Sequence, residues 1–240
     1  MLQVALNGHR SPEEHPAIPR TPEELAREAR ASVDAGADVV HVHAYEDGQE
    51  TFDSEQCVAM VRAIRTACPG IPISQTTALY YIAGDDPEHR LALISRWTEL
   101  PELVTANQGE DGIVELCDHL IGRGVGIEAG LLTVGDAEAF VQSGIAGRCT
   151  RVLIEPLEVD PAVAVAHAEA MENVLTGAGI ELEQVHHGEL IASWAVSERG
   201  ARRGHGVRTG LEDVTVLPDG TPARDNAQLV RYAKRLLATT

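Results

Sequence analysis

Residues 21–43 read TPEELAREARASVDAGADVVHVH, and the change of period inside this stretch decides the fold. Thr21 offers a capping hydroxyl, Pro22 a first-turn residue whose missing N–H is no loss there, and Glu24 an acid at the third helical position. Together they start a helix predicted to span residues 22–35, and Gly36 stands where it should stop. Asp38 to His43 then reads as a short, β-branched strand with a period of two. A capped helix running straight into an apolar strand is the repeating step of a βα protein.

The same alternation continues to both ends of the 240-residue chain. Strands are predicted at 3–6, 38–43, 71–75, 103–106, 125–128, 150–154, 183–187 and 206–210. Helices are predicted at 22–35, 54–67, 86–98, 112–122, 134–143, 161–177, 190–201 and 226–238. Thr133 with Asp136, and Asp160 before Pro161, mark two more helix starts. Eight such units match the roughly 250 residues of a (β/α)₈ barrel. The expectation is an α/β TIM barrel over residues 1–240 as one domain. A doubly wound open sheet is the rival, but Leu6-Asn7-Gly8-His9-Arg10 after the first strand is not a glycine-rich nucleotide loop. Aromatic residues make up only 3% of the chain, so the core must be built from Ala, Val, Leu and Ile, the residues expected to fill the barrel interior.

Nineteen Lys and Arg against 37 Asp and Glu give a net charge of −18, which repels phosphate backbones and anionic lipid. Neither a nucleic-acid nor a membrane partner is expected. Cys57, Cys68, Cys117 and Cys149 are scattered and form no CxxC pair, as free thiols in a reducing compartment would be. No apolar run approaches about 18 residues, and MLQVALNGHR lacks a basic leader, so a cytoplasmic location is expected.

His41 and His43 are two residues apart on a strand, so both imidazoles point to one face, into the barrel. A lone histidine in an apolar strand is ordinarily a core residue with one hydrogen bond. Two on one face need polar partners, and a shared divalent metal supplies one. Such an ion wants a third protein ligand, and Glu212 follows the eighth strand at the mouth where barrel enzymes place their sites. Other strand ends are polar too: Gln75-Thr76-Thr77, Thr105-Ala106-Asn107, Glu155 and His187-Gly188-Glu189. Any of these could simply cap a helix or join two loops. Glu128 lies among apolar residues and glycines, where a carboxylate is costly without a cation or donors. Arg208, on the last strand, is placed to clamp a carboxylate.

With these residues in view, the chain resembles the β-keto acid cleavage enzyme family, as a short member. The resemblance is carried by Leu6-Asn7-Gly8, Pro19 to Glu24, Ala35-Gly36-Ala37-Asp38 with His41-Val42-His43, Val207 to Asp213, and Asn226 to Val230. It implies a metal-dependent barrel that exchanges an acyl group between a β-keto acid and acetyl-CoA, giving acetoacetate and a new acyl-CoA. It further implies one divalent transition metal, Zn²⁺ by preference, on His41, His43 and Glu212. Asp213 matches the family's general base and Arg208 its assistant. Thr76 stands at a catalytic serine position, and Thr77, Thr105, Asn107 and Glu128 are the expected substrate contacts. A homo-oligomer, tetramer or dimer, is implied as well. Two features depart from the pattern: His43-Ala44-Tyr45-Glu46-Asp47 lacks an arginine after the second histidine, and His9-Arg10 replaces an acid after the first strand. The alternative reading is another metal-dependent barrel enzyme, a hydrolase, lyase or aldolase, that does not use CoA.

Overall fold

The computed structural model describes residues 1–82 and 84–239. Its centre is a closed barrel of parallel strands: β1 (Leu2–Ala5), β2 (Val39–Val42), β3 (Ile73–Thr76), β4 (Leu103–Asn107), β5 (Gly126–Leu131), β6 (Arg151–Ile154), β7 (Glu183–His186) and β8 (Gly206–Thr209). Each pairs with its neighbour in sequence, and β8 closes on β1 with Gln3 opposite Arg208. The surrounding helices are α1 (Pro22–Ala35), α2 (Ser54–Ala67), α3 (Pro87–Ile94), α4 (Ile113–Gly122), α5 (Val134–Ser143), α6 (Pro161–Gly177), α7 (Ala192–Arg202) and α8 (Asn226–Thr239). This is the TIM barrel expected from the sequence.

The local signals act as predicted at several ends. Thr21 and Glu24 form a reciprocal capping box on α1, and Gly36 ends that helix at φ +115°. Thr133 and Asp136 do the same for α5, and Asp160 caps α6 ahead of Pro161. Elsewhere the boundaries moved. The helix predicted over 86–98 stops at Ile94, because the Arg123 guanidinium takes the Ile94 carbonyl and the Ser95 hydroxyl bonds back to Leu91. Strand β5 runs on to Leu131, held by Asn107 on one side and Ile154 on the other. A small antiparallel hairpin, Tyr45–Glu46 with Gln49–Glu50, was not anticipated. Its turn residues Asp47 and Gly48 both have positive φ, the primed-turn geometry that suits a tight hairpin.

The interior also differs from expectation. The branched aliphatics Val4, Val40, Val42, Ile73, Val104, Ile127 and Val152 are buried between strands and helices. Inside the barrel, polar groups meet across it: Gln3 on β1 donates to both Glu128 oxygens on β5 at 3.1 Å, and Arg151 Nε on β6 lies 3.4 Å from the same carboxylate. An interior that can satisfy a buried carboxylate is a floor on which a polar site can be built.

Candidate active site

The site stands on that floor, at the C-terminal ends of the strands. His41 is opposite Ala5 on β1 and Ser74 on β3, and His43 follows β2 on the same face. Their rings lie 5.2 Å apart and nearly perpendicular. Both Nε2 atoms turn to one oxygen of Glu212: Oε1 is 3.7 Å from His41 and 3.5 Å from His43.

Two glycines make this approach possible. A Cβ on Gly8, which has φ +55°, would lie 2.3 Å from Glu212 Cγ, so the Glu212 side chain occupies the space a larger residue would need. A Cβ on Gly210 would meet the Ala5 carbonyl oxygen at 1.9 Å, so β8 can close on β1 only with glycine there. Asn7 ties the loop to β2: its Oδ1 accepts from the His43 and Gly8 amides, and its Nδ2 donates to the His43 carbonyl, each at 3.0 Å.

Each imidazole is held from behind. His41 Nδ1 is 3.0 Å from Ser74 Oγ, and the Ser74 hydroxyl in turn donates to Glu128. His43 Nδ1 is 3.0 Å from Glu50 Oε2, on the hairpin. Tyr45, beside it, donates from its hydroxyl toward Glu50 and the Gly8 carbonyl, and the Arg20 guanidinium lies 3.7 Å over its ring.

The electrostatics follow from burial and pairing. Burial pulls the His41 pKa well down. It also pulls on His43, but Glu212 and Glu50 outweigh it and hold that imidazole up at about 10. Burial would push Glu212 up, yet Arg208, His43 and His41 keep it well below the usual carboxylate range. Arg208 reaches Glu212 with Nη2 at 2.5 Å and Asp213 with Nη2 and Nε at 2.7 and 3.2 Å. It keeps Asp213 low as well, against the upward pull of burial.

His41, His43, Thr76, Thr105, Asn107, Arg208 and Glu212 all line one cavity of about 180 Å³, together with His9, Glu155 and Glu189. Asp213 is not part of that lining; it is 2% exposed, with the buried His187 ring 3.6 Å from it and 3.4 Å from Glu155. Two expected substrate contacts sit elsewhere. Thr77 falls on the outer face of its strand end, where its hydroxyl donates to the Thr105 carbonyl. Glu128 is fully buried one layer below the cavity, its carboxyl group taken by Gln3, Ser74 and Arg151. Glu50 and Ser74 were missed by the sequence reading; Asp47-Gly48 is the one local signal that could have located the hairpin carrying Glu50.

The donor set fits a divalent transition metal. His41, His43 and Glu212 present ligand atoms within 4.8 Å of one another, and Glu212 Oε2 is buried with no hydrogen-bond partner. A second cluster of this kind among the described residues, Glu172, His186 and His205, lies outside the barrel. There Arg199 and Arg203 already engage Glu172, and two guanidiniums repel a cation.

Comparison with known proteins shows the family to which the chain belongs. The chain is 28% identical to a 3-keto-5-aminohexanoate cleavage enzyme of Acetoanaerobium sticklandii over 98% of its own length and 90% of that protein. It is 28% identical to a 3-oxoadipate:acetyl-CoA acetyltransferase of Cupriavidus necator, over 98% of this chain and 87% of the relative. In fold it is similar to the apo structure of ObcA, with a TM-score of 0.73 at 16% identity, covering 93% of this chain but only 62% of ObcA. ObcA has also been solved as a ternary complex with a C4-CoA adduct and oxalate, with a TM-score of 0.72 at 16% identity over 93% of this chain and 64% of that one. The family model described as beta-keto acid cleavage enzyme matches residues 1–115 and 159–240, which include His41, His43, Arg208, Glu212 and Asp213 and leave out Glu128 and Glu155. With most of its length matched, including the histidine pair and the Arg208 to Asp213 segment, the chain belongs to the β-keto acid cleavage enzyme family.

Proposed function

We propose that this chain exchanges an acyl group between a small β-keto acid and acetyl-CoA, releasing acetoacetate and a new acyl-CoA. The observation that carries the reading is the convergence of His41 and His43 on Glu212 at the mouth of the barrel, with Arg208 joining Glu212 to Asp213. His41, His43 and Glu212 would hold the metal, and two imidazoles with one carboxylate suit Zn²⁺ with positions left for substrate. Bound there, such an ion supplies Lewis acidity to a keto oxygen and to the negative charge that develops on it.

The side chains divide the remaining work. Thr76 and Thr105 present hydroxyls to the cavity and orient the keto acid, with Asn107 beside them. The Thr76 oxygen accepts the Ala78 amide, which leaves its proton to donate. Asp213, kept ionised by Arg208, is the base. Arg208 faces the cavity from between the two carboxylates and fixes both. A cavity of about 180 Å³ accepts a substrate of a few carbons, so the bulk of a coenzyme must lie outside the mouth.

Among the described residues no helix is long and apolar enough to cross a membrane, and all four cysteines are free and buried, which supports a reducing, cytoplasmic setting. Exposed apolar side chains at Leu157, Val159, Leu190 and Ile191 support a homo-oligomer, to be read by light scattering. The reaction is tested by incubating a panel of β-keto acids with the purified protein, with and without acetyl-CoA, and measuring acetoacetate. Acetoacetate formed only with the thioester supports the exchange. Keto acid consumed equally without it would establish the CoA-independent alternative.

A further inference from the structure

Both imidazoles of the site end on a carboxylate that no role in the reaction requires. His43 reaches Glu50 directly, from β2 to the hairpin. His41 reaches Glu128 through the Ser74 hydroxyl, across the barrel from β2 to β3 to β5. We propose that Glu50 and the Ser74–Glu128 pair are positioning residues that hold His43 and His41 in the tautomer with the proton on Nδ1 and the Nε2 lone pair aimed at the metal. This deepens the metal reading above and rests on it.

The reasoning is a count of protons and lone pairs. An imidazole that binds a cation through one nitrogen carries its proton on the other. Nε2 of each ring faces Glu212, so Nδ1 must donate. Glu50, an acceptor through both oxygens, takes the proton of His43 at 3.0 Å. Ser74 has one proton to give and gives it to Glu128, so toward His41 its oxygen can only accept. With Glu128 ionised, the direction of that chain is set from its far end, because Gln3 donates to both oxygens of Glu128 and Arg151 lies beside them. Glu128 is thus surrounded by donors, and its burial below the cavity acquires a reason.

The hairpin is built to deliver Glu50. Asp47 and Gly48 turn the chain back on itself, Glu50 pairs with Tyr45, and Tyr45 is anchored by the Gly8 carbonyl and Arg20. Gly8 is the residue packed against Glu212. Glu50 and Glu212 are therefore set by one piece of structure, on the two sides of the same imidazole.

The test is Zn²⁺ affinity, measured by competition with a chromophoric chelator, for the wild type and for Glu50→Ala, Glu50→Gln, Ser74→Ala and Glu128→Gln. Circular dichroism melts check that each variant is folded. Loss of such an outer partner typically weakens metal binding about 10- to 100-fold. Glu50→Ala and Ser74→Ala are expected in that range, with Glu50→Gln in between because its amide oxygen still accepts. Two-bond ¹H–¹⁵N spectra of the zinc-loaded wild type are expected to show both rings protonated at Nδ1. Folded variants that bind Zn²⁺ within about twofold of a zinc-binding wild type, or rings protonated at Nε2, would overturn the inference. A wild type that binds no Zn²⁺ would instead overturn the metal reading beneath it.

Discussion

Arg208 and Asp213 are locked together inside the barrel by two hydrogen bonds, Nε to Oδ2 at 3.2 Å and Nη2 to Oδ1 at 2.7 Å, and each is only 2% exposed. Removing one partner from a buried pair leaves the other charge without water or counter-ion, at a cost of about 3–5 kcal/mol. Arg208→Ala is expected to lose that much in urea unfolding, because it strands both Asp213 and Glu212. Asp213→Asn should lose less, since Arg208 keeps Glu212 and the amide oxygen still accepts, while abolishing acyl exchange. Equal stability losses in the two variants would contradict this ordering.

Metal uptake should release a proton. Burial opposes a charge on His43, but Glu212 and Glu50 hold its pKa at about 10, so the metal-free protein keeps this imidazole protonated at pH 7. His41, pulled down by burial, is neutral there. A metal needs the neutral ring, so apparent affinity should rise about tenfold per pH unit between pH 6 and 9 as that single proton becomes easier to remove. Calorimetry in buffers of different ionisation enthalpy should find about one proton released per Zn²⁺ at pH 7. A pH-independent affinity would show that His43 enters the site already neutral.

Glu172, on α6, sets part of the acid stability. Burial would raise its pKa, but hydrogen bonds from His205, Arg203 and Arg199 bring it from 4.5 to about 2. A carboxylate depressed on folding stabilises the native state above its ordinary pKa, and that contribution disappears as pH falls from about 4.5 through about 2. Glu172→Gln is therefore expected to melt lower than wild type at pH 7 and to show a shallower decline over that window. Parallel acid limbs in melts from pH 2 to 7 would contradict it.

Two glycines should fail differently. Gly8→Ala places a methyl at 2.3 Å from Glu212 Cγ and must displace that side chain, so it is expected to fold and bind metal poorly. Gly210→Ala drives a methyl against the Ala5 carbonyl, where backbone of β1 would have to move, and is expected to prevent stable folding. Expression, melting and Zn²⁺ titration of the two variants separate the outcomes.

The barrel was legible because its signals are local: the capping box at Thr21 and Glu24, the stop at Gly36, and the alternation through His43. The histidine pair was legible for the same reason, since a period of two needs no partner strand. Thr77 was not, because register decides its face. With Ser74 opposite His41, Thr76 turns inward and Thr77 outward, and nothing in Gln75-Thr76-Thr77 says so. Glu128 could be recognised as a carboxylate in need of donors, but Gln3, Ser74 and Arg151 come from three other strands and meet it only once the barrel closes. Glu50 was hidden by the brevity of its strand: two residues carry no period.

The central claim is that His41, His43 and Glu212 hold one divalent metal. Metal content by mass spectrometry, on the wild type and on a His41→Ala, His43→Ala double variant, tests it most directly. About one transition metal per wild-type chain, absent from the double variant, is the predicted result; a wild type that stays metal-free after incubation with Zn²⁺ would contradict it.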